Sequence, residues 1–221
     1  CGSQHNAEAM EWLVTNGLGG YGSGTVAGLH TRRYHGLLVA ALAPPLGRRV
    51  LVSRFDDEVE YLGTRQALFS NRWQGGAVTP EGYLSIARFA LEGSTPVWTY
   101  TIADALLEKR IFMVHGENTT VVVYRLIEAS APLTLTAKAL VTARSHHHLR
   151  TGDADALHIT RVDGGVRVRP HHGAGSFAIV SRGAQTRCAK GHDVYRGLEL
   201  RIEGARGFDQ HDDLRHAATF T

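Results

Sequence analysis

The sequence predicts an all-β fold, a large antiparallel β-sandwich with a Gly-rich N-terminal loop region and little helix, on three observations. From about Arg49 onward, short apolar stretches are separated by Gly, Pro, Asp and Ser at intervals of about 8 to 12 residues. Two stretches alternate: Leu133, Leu135, Ala137, Ala139 and Val141 against Thr134, Thr136 and Lys138, and Leu198, Leu200 and Ile202 against Glu199, Arg201 and Glu203. That period of two belongs to half-buried strands, while helical periodicity is scarce. Finally, 221 residues with 43% hydrophobic and 20% charged residues are ordinary globular usage, enough for a substantial core and unlike disordered, collagen-like or coiled-coil chains.

The elements follow in order. Asn16 to Gly36 holds Gly17, Gly19, Gly20, Gly22, Gly24, Gly28 and Gly36, a density that strand and helix interiors disfavour, so this segment reads as a structured loop region. Strands are expected around Val50 to Ser53, Ile86 to Leu91, Val97 to Tyr100 and Lys109 to Val114. Val121, Val122, Val123 and Tyr124 form a continuous β-branched and aromatic run that wants cover on both faces, which predicts a central strand between packed layers. After the alternating Leu133 to Val141 segment, His158 to Arg169 reads as a hairpin, with Asp163, Gly164 and Gly165 supplying the turn. Phe177 to Arg182 and Leu198 to Glu203 complete the strands. This number suits large stacked sheets better than a small barrel. No repeat, low-complexity tract or linker marks an internal boundary, so residues 1–221 are expected to form one domain.

Charge and composition narrow the partners. The net charge is +3 and the pI about 9.0, but 21 of the 24 basic residues are Arg, and they are scattered in blocks no longer than two. No arm for tracking phosphates results, and no nucleic-acid partner is expected. The longest apolar run, Leu37 to Leu46, is interrupted by Pro44 and Pro45 and falls well short of the roughly 20 residues that span a bilayer, so no membrane partner is expected either. Cys1 and Cys188 can make only one bridge, which argues against a disulfide scaffold. The opening Cys1-Gly2-Ser3 suits a lipidated terminus or a cut boundary; a cut boundary and a cytoplasmic location are the expectation.

Several constellations compete for a functional role. Gly17, Gly19 and Gly22 have dinucleotide-binding spacing, but no clean helix follows and no acidic residue occurs between them and Asp56, so no nucleotide cofactor is expected. His146, His147 and His148 would place two imidazoles on one face of a strand. A metal site needs further ligands, for which only His171 and His172 suggest themselves, so no metal is expected. Asp56, Asp57 and Glu58 read as a solvated turn at a strand boundary instead of a glycosidase carboxylate pair, and no catalytic residue is assigned. Cys188 lies in a polar stretch between Arg187 and Lys190 that is compatible with a lowered thiol pKa, but nothing nominates a base, and a plain, partly buried cysteine is the expectation. The strongest cluster is Thr31 to Gly36. Arg32, Arg33, Tyr34 and His35 supply planar donors and an aromatic surface suited to a neutral polyhydroxyl ligand; an exposed strand edge is the competing reading.

Glu11 to Gly20 (EWLVTNGLGG), Gly24 to Gly28 (GTVAG) and Thr31 to Ala41 (TRRYHGLLVAA) resemble the opening of the N-terminal domain of bacterial and archaeal glycogen debranching enzymes. Lys109 to Tyr124 (KRIFMVHGENTTVVVY) and Ala143 to Leu149 are similar to the same domain. The resemblance implies a β-supersandwich preceding an (α/α)6 barrel that hydrolyses α-1,6-glucosidic branch stubs and is absent from this chain. The chain is then expected to be inactive alone. It would buttress the barrel, with Asn16, Arg32, Arg33, Tyr34 and His35 as candidates for the barrel interface or the rim of its sugar site. Its expected partners are the barrel and glycogen or another branched α-glucan. A stand-alone carbohydrate-binding module, which would bind glycan without the barrel, and a purely structural docking domain are the alternatives.

Overall fold

The structure, a computed structural model, describes residues 4–44, 46–152, 157–171, 175–183 and 185–221. In chain order it contains α1 (Gln4–Ala9), β1 (Glu11–Thr15), β2 (Tyr21–Thr25), β3 (Gly36–Ala43), β4 (Leu46–Tyr61), β5 (Thr64–Ala67), β6 (Ser70–Arg72), β7 (Val78–Glu81), β8 (Ile86–Glu92), β9 (Thr95–Ile102) and β10 (Ala105–Met113). β11 (Thr120–Glu128), β12 (Thr134–Ser145), β13 (His158–Val162), β14 (Gly165–Arg169), β15 (Phe177–Val180), β16 (Cys188–Lys190), β17 (Val194–Glu199), α2 (Arg201–Ala205) and β18 (His211–Phe220) follow. The all-β expectation is met.

A nine-stranded antiparallel sheet forms one layer, in the order β1-β2-β3-β4-β12-β18-β16, with β5 beside β4 and β17 beside β18. β4 is long enough to pair with β3 through its first half and β5 through its last residues, while β12 runs along it. Opposite it, the sheet β11-β10-β9-β8 packs against β1 and β2, and the sheet β13-β14-β15 packs against β16 and β18. Trp12 of β1 meets Trp98 of β9 edge to face at 5.6 Å, and Tyr61, Tyr100, Ile111, Val141, Val166 and Ala217 are buried in the same core. Alternation therefore does what it predicts: inward residues fill the space between stacked sheets. The β13–β14 hairpin turns at Asp163 and Gly164 as expected, with Gly164 at φ 67°.

Four expectations are corrected. Tyr21 to Thr25, read as loop, is a strand pairing with both β1 and β3. Its glycines answer to close packing: a Cβ on Gly22 would stand 2.9 Å from the Leu37 carbonyl oxygen, and one on Gly24 3.2 Å from the Trp12 indole. The Val121 to Tyr124 run lies in β11, at the edge of its sheet, where Val123 pairs with Arg110 and is 38% exposed. Asp56 and Asp57 lie inside β4 and are buried. Leu198 to Glu203 is not one strand: the ladder with β18 ends at Glu199–His211, and α2 begins at Arg201. Leu200 is still buried, with its N–H donated to the Gln210 carbonyl.

Candidate functional site

β1 and β2 are joined by a turn in which Gly17 and Gly19 take φ values of 79° and 90°. Asn16 holds this turn: its Oδ1 accepts the N–H groups of Leu18 and Gly20 at 2.9 and 3.0 Å. Its Nδ2 donates to the Glu117 carbonyl at 2.9 Å and Asn118 Oδ1 at 3.0 Å, tying the turn to the one between β10 and β11. Asn16 is 0% exposed, so its whole hydrogen-bonding capacity is spent on backbone and on Asn118.

Thr31 to His35 follows β2 and leads into β3. His35 is buried; its N–H donates to the Arg32 carbonyl at 3.1 Å, and its Nδ1 accepts the Thr31 N–H at 3.2 Å. Its Nε2 lies 3.3 Å from Glu11 Oε1, which also accepts from Arg32 Nε at 2.7 Å. The hydrogen bond from His35, then that from Arg32, hold the Glu11 carboxyl at about 2 against the opposing effect of burial. Arg33 is anchored more deeply. Glu203 of α2, fully buried, takes the Arg33 N–H on Oε1 at 3.1 Å and the Arg33 Nε on Oε2 at 2.8 Å. Arg33 Nη1 donates to the His147 carbonyl at 2.8 Å, and its guanidinium lies 4.7 Å from the centre of the half-exposed Phe208 ring.

Tyr34 stands beside this pair. Its ring meets His146 at 5.3 Å and His147 at 5.8 Å, edge to face in both cases, and its hydroxyl lies 3.3 Å from His147 Nδ1. The two histidines face each other through their Nε2 atoms at 3.0 Å, and His146 Nδ1 lies 3.2 Å from the Tyr21 hydroxyl. His146 is buried, and burial, then His147 and the nearby Arg48 and Arg144, lower its pKa to about 4. Burial raises Tyr21 to about 12.

The sequence-predicted residues thus divide by position. Arg32, Arg33 and Tyr34 are partly exposed, while Asn16 and His35 are buried beneath the backbone they hold. Tyr21, Glu203 and Phe208 belong to the same patch and were not singled out by the sequence. The triple histidine was, but as a metal candidate: it forms a turn after β12, and His146 and His147 bond each other. Among the described residues no group of three or more His, Cys, Asp or Glu is arranged to hold a metal, and His172 lies outside the described residues.

The other constellations also have definite places. Gly17, Gly19 and Gly22 sit in the β1–β2 hairpin, with a strand and not a helix after the turn. Burial raises the Cys188 thiol, which agrees with a plain, partly buried cysteine and not with a thiol activated by its basic neighbours, and Cys1 lies outside the described residues. Asp57 points between the layers, accepting from Lys109 Nζ and, at 2.6 Å, from the Tyr124 hydroxyl. Asp56 points to the other side of β4, toward Arg54 at 3.2 Å and Asn71 at 3.3 Å.

In comparisons with known proteins, the family described as glycogen debranching enzyme N terminal matches residues 10–221. Neither the search of curated proteins nor that of solved structures gave a match.

Proposed function

Because the chain belongs to the glycogen debranching enzyme N-terminal family, we propose that it is the non-catalytic domain of a cytoplasmic enzyme that degrades glycogen or related branched α-glucans. It buttresses an (α/α)6 barrel that hydrolyses α-1,6-glucosidic bonds, and the face carrying Arg32, Arg33 and Tyr34 borders the barrel's sugar site. The supporting observation is the double-sided character of that face. Arg33 and Tyr34 are fixed from below by buried Glu203 and by the histidine pair, yet they remain partly exposed. Fixed planar donors beside an aromatic ring are what a neutral sugar needs for orientation. Asn16 and His35 contribute by holding the two backbone segments that carry the face.

The chain alone is expected to release no glucose from a branched α-glucan. A glycosidase needs two carboxyl groups flanking one bond, and Asp56 and Asp57 point to opposite sides of a strand into separate ion pairs. In the debranching enzyme, Tyr34→Ala is expected to lower kcat/KM by the equivalent of about 1 to 3 kcal/mol while leaving the melting temperature nearly unchanged. Normal kinetics in a folded Tyr34→Ala enzyme would refute the sugar-site role and leave only docking.

A further inference from the structure

Four side chains of this face form one continuous hydrogen-bonded run: Tyr34 Oη to His147 Nδ1 at 3.3 Å, His147 Nε2 to His146 Nε2 at 3.0 Å, and His146 Nδ1 to Tyr21 Oη at 3.2 Å. The middle link joins two like atoms. One ring must carry its proton on Nε2 and the other must leave Nε2 bare. Since a neutral imidazole has a single N–H, that choice fixes both outer links. With the proton on His146 Nε2, His146 Nδ1 accepts from the Tyr21 hydroxyl, and His147, protonated on Nδ1, donates to the Tyr34 oxygen. Tyr34 then keeps its own hydrogen free. With the proton on His147 Nε2 the run reverses: Tyr34 donates to His147, His146 donates to Tyr21, and Tyr21 is left with a hydrogen to place.

The surroundings choose between the two. The cations whose fields reach both Tyr21 and His146 are Arg48, anchored on the Gly19 carbonyl at 2.6 Å, and Arg144, anchored on Asp212 at 2.9 Å. A guanidinium offers donors only. Among the described residues the Tyr21 hydroxyl has His146 Nδ1 as its hydrogen-bond partner, so a Tyr21 hydrogen turned toward the guanidiniums would stay unbonded, whereas Tyr21 oxygen lone pairs turned toward them are favoured. Burial, which disfavours phenolate at Tyr21 and imidazolium at His146, keeps both groups in the neutral forms the run requires. At the other end, the Tyr34–His147 link lies at the exposed rim, where a free hydroxyl hydrogen reaches solvent or ligand. Arg33 beside it is held by Glu203 and the His147 carbonyl, so the Tyr34 hydroxyl adds a donor of its own next to a fixed guanidinium.

Resting on the reading that this face borders a sugar site, we propose that Tyr21, His146 and His147 are positioning residues that fix the Tyr34 hydroxyl as a hydrogen-bond donor to an acceptor oxygen of the glucan. Long-range proton–nitrogen NMR of the labelled chain at about pH 8, where unperturbed imidazoles are neutral, tests the orientation directly. His146 is expected as the Nε2–H tautomer and His147 as the Nδ1–H tautomer. A His147 protonated on Nε2, or two rings exchanging tautomers freely, would overturn the assignment. Tyr21→Phe removes the donor that keeps His146 Nδ1 bare, so His147 should lose its exclusive Nδ1–H form; an unchanged spectrum removes Tyr21 from the run. In the debranching enzyme, Tyr21→Phe is expected to lower kcat/KM about three- to tenfold, with no added loss in a Tyr34→Phe background. Tautomers as expected, with kinetics indifferent to both substitutions, would sink the sugar-site reading while leaving the orientation of the run in place.

Discussion

Asp57 has its ion-pair partner 52 residues away in the chain, and the pair shows how far a residue's meaning depends on what the fold brings to it. Both Asp57 and Lys109 are buried between the two layers, with Tyr124 completing the carboxylate's partners. Removing one member leaves the other charge without compensation. Lys109→Met is therefore expected to destabilise the fold by about 3 to 5 kcal/mol, whereas replacing the pair together by Asp57→Leu and Lys109→Met recovers most of that loss. Urea unfolding of the single and double variants checks this, and equal losses in both would contradict it. The exposed Arg32–Glu11 pair, by contrast, is worth less than about 1 kcal/mol. From the sequence, Asp56 to Glu58 looked like a solvated turn because nothing local names a distant lysine or tyrosine. The Arg32 to His35 cluster was legible because its donors are adjacent in the chain. Glu203 and Phe208, which arrive from α2 and the residues after it, were not.

The β1–β2 hairpin shows why glycine density misled the reading of one element while alternation succeeded in most others. Gly22 and Gly24 in β2 stand at i and i+2, with Tyr21, Ser23 and Thr25 between and beside them. The strand's period of two is present, but written in glycines. One face of β2 has no room for side chains because the Leu37 carbonyl and the Trp12 ring already occupy it. Gly22→Ala is expected to destabilise the fold by about 1 to 3 kcal/mol through forced backbone movement. Gly175→Ala, with open space around the new Cβ and no positive φ, should be nearly neutral. Comparable melting temperatures for the two variants would show that packing does not explain the β2 glycines. Similar reasoning accounts for the other misread elements. β11 is as apolar as a central strand, yet only topology determines that it ends a sheet, and the alternation at Leu198 continues past Glu199 although the ladder with β18 has run out.

Across the whole molecule, buried imidazoles and carboxylates give folding a pH dependence whose sign follows from their environments. His30 is half-buried, with its Nδ1 3.4 Å from Ser53 Oγ and its ring against His35, and burial followed by the Arg54 charge lowers its pKa well below the ordinary value. His146 is lowered to about 4, first by burial. An unfolded chain binds protons at both positions near pH 6.5, while the native state refuses them. The stability these two groups leave intact above pH 6.5 is therefore lost as the pH falls below it, for His146 down to about pH 4. Glu11, held at about 2 by His35 and Arg32, extends the loss in the same direction, since its contribution is present above about pH 4.5 and disappears as its carboxyl protonates. Asp56 and Asp212 oppose this, because burial raises both despite their arginine partners and lets the native state accept protons before the unfolded one. A difference measurement separates the contributions: the slope of stability against pH between 6.5 and 4 should be shallower in His146→Gln than in the parent chain, because the carboxylates are common to both. Parallel slopes over that interval would show that His146 takes up its proton equally in the folded and unfolded chain, and that its buried, neutral place beside Tyr21 does not govern its titration.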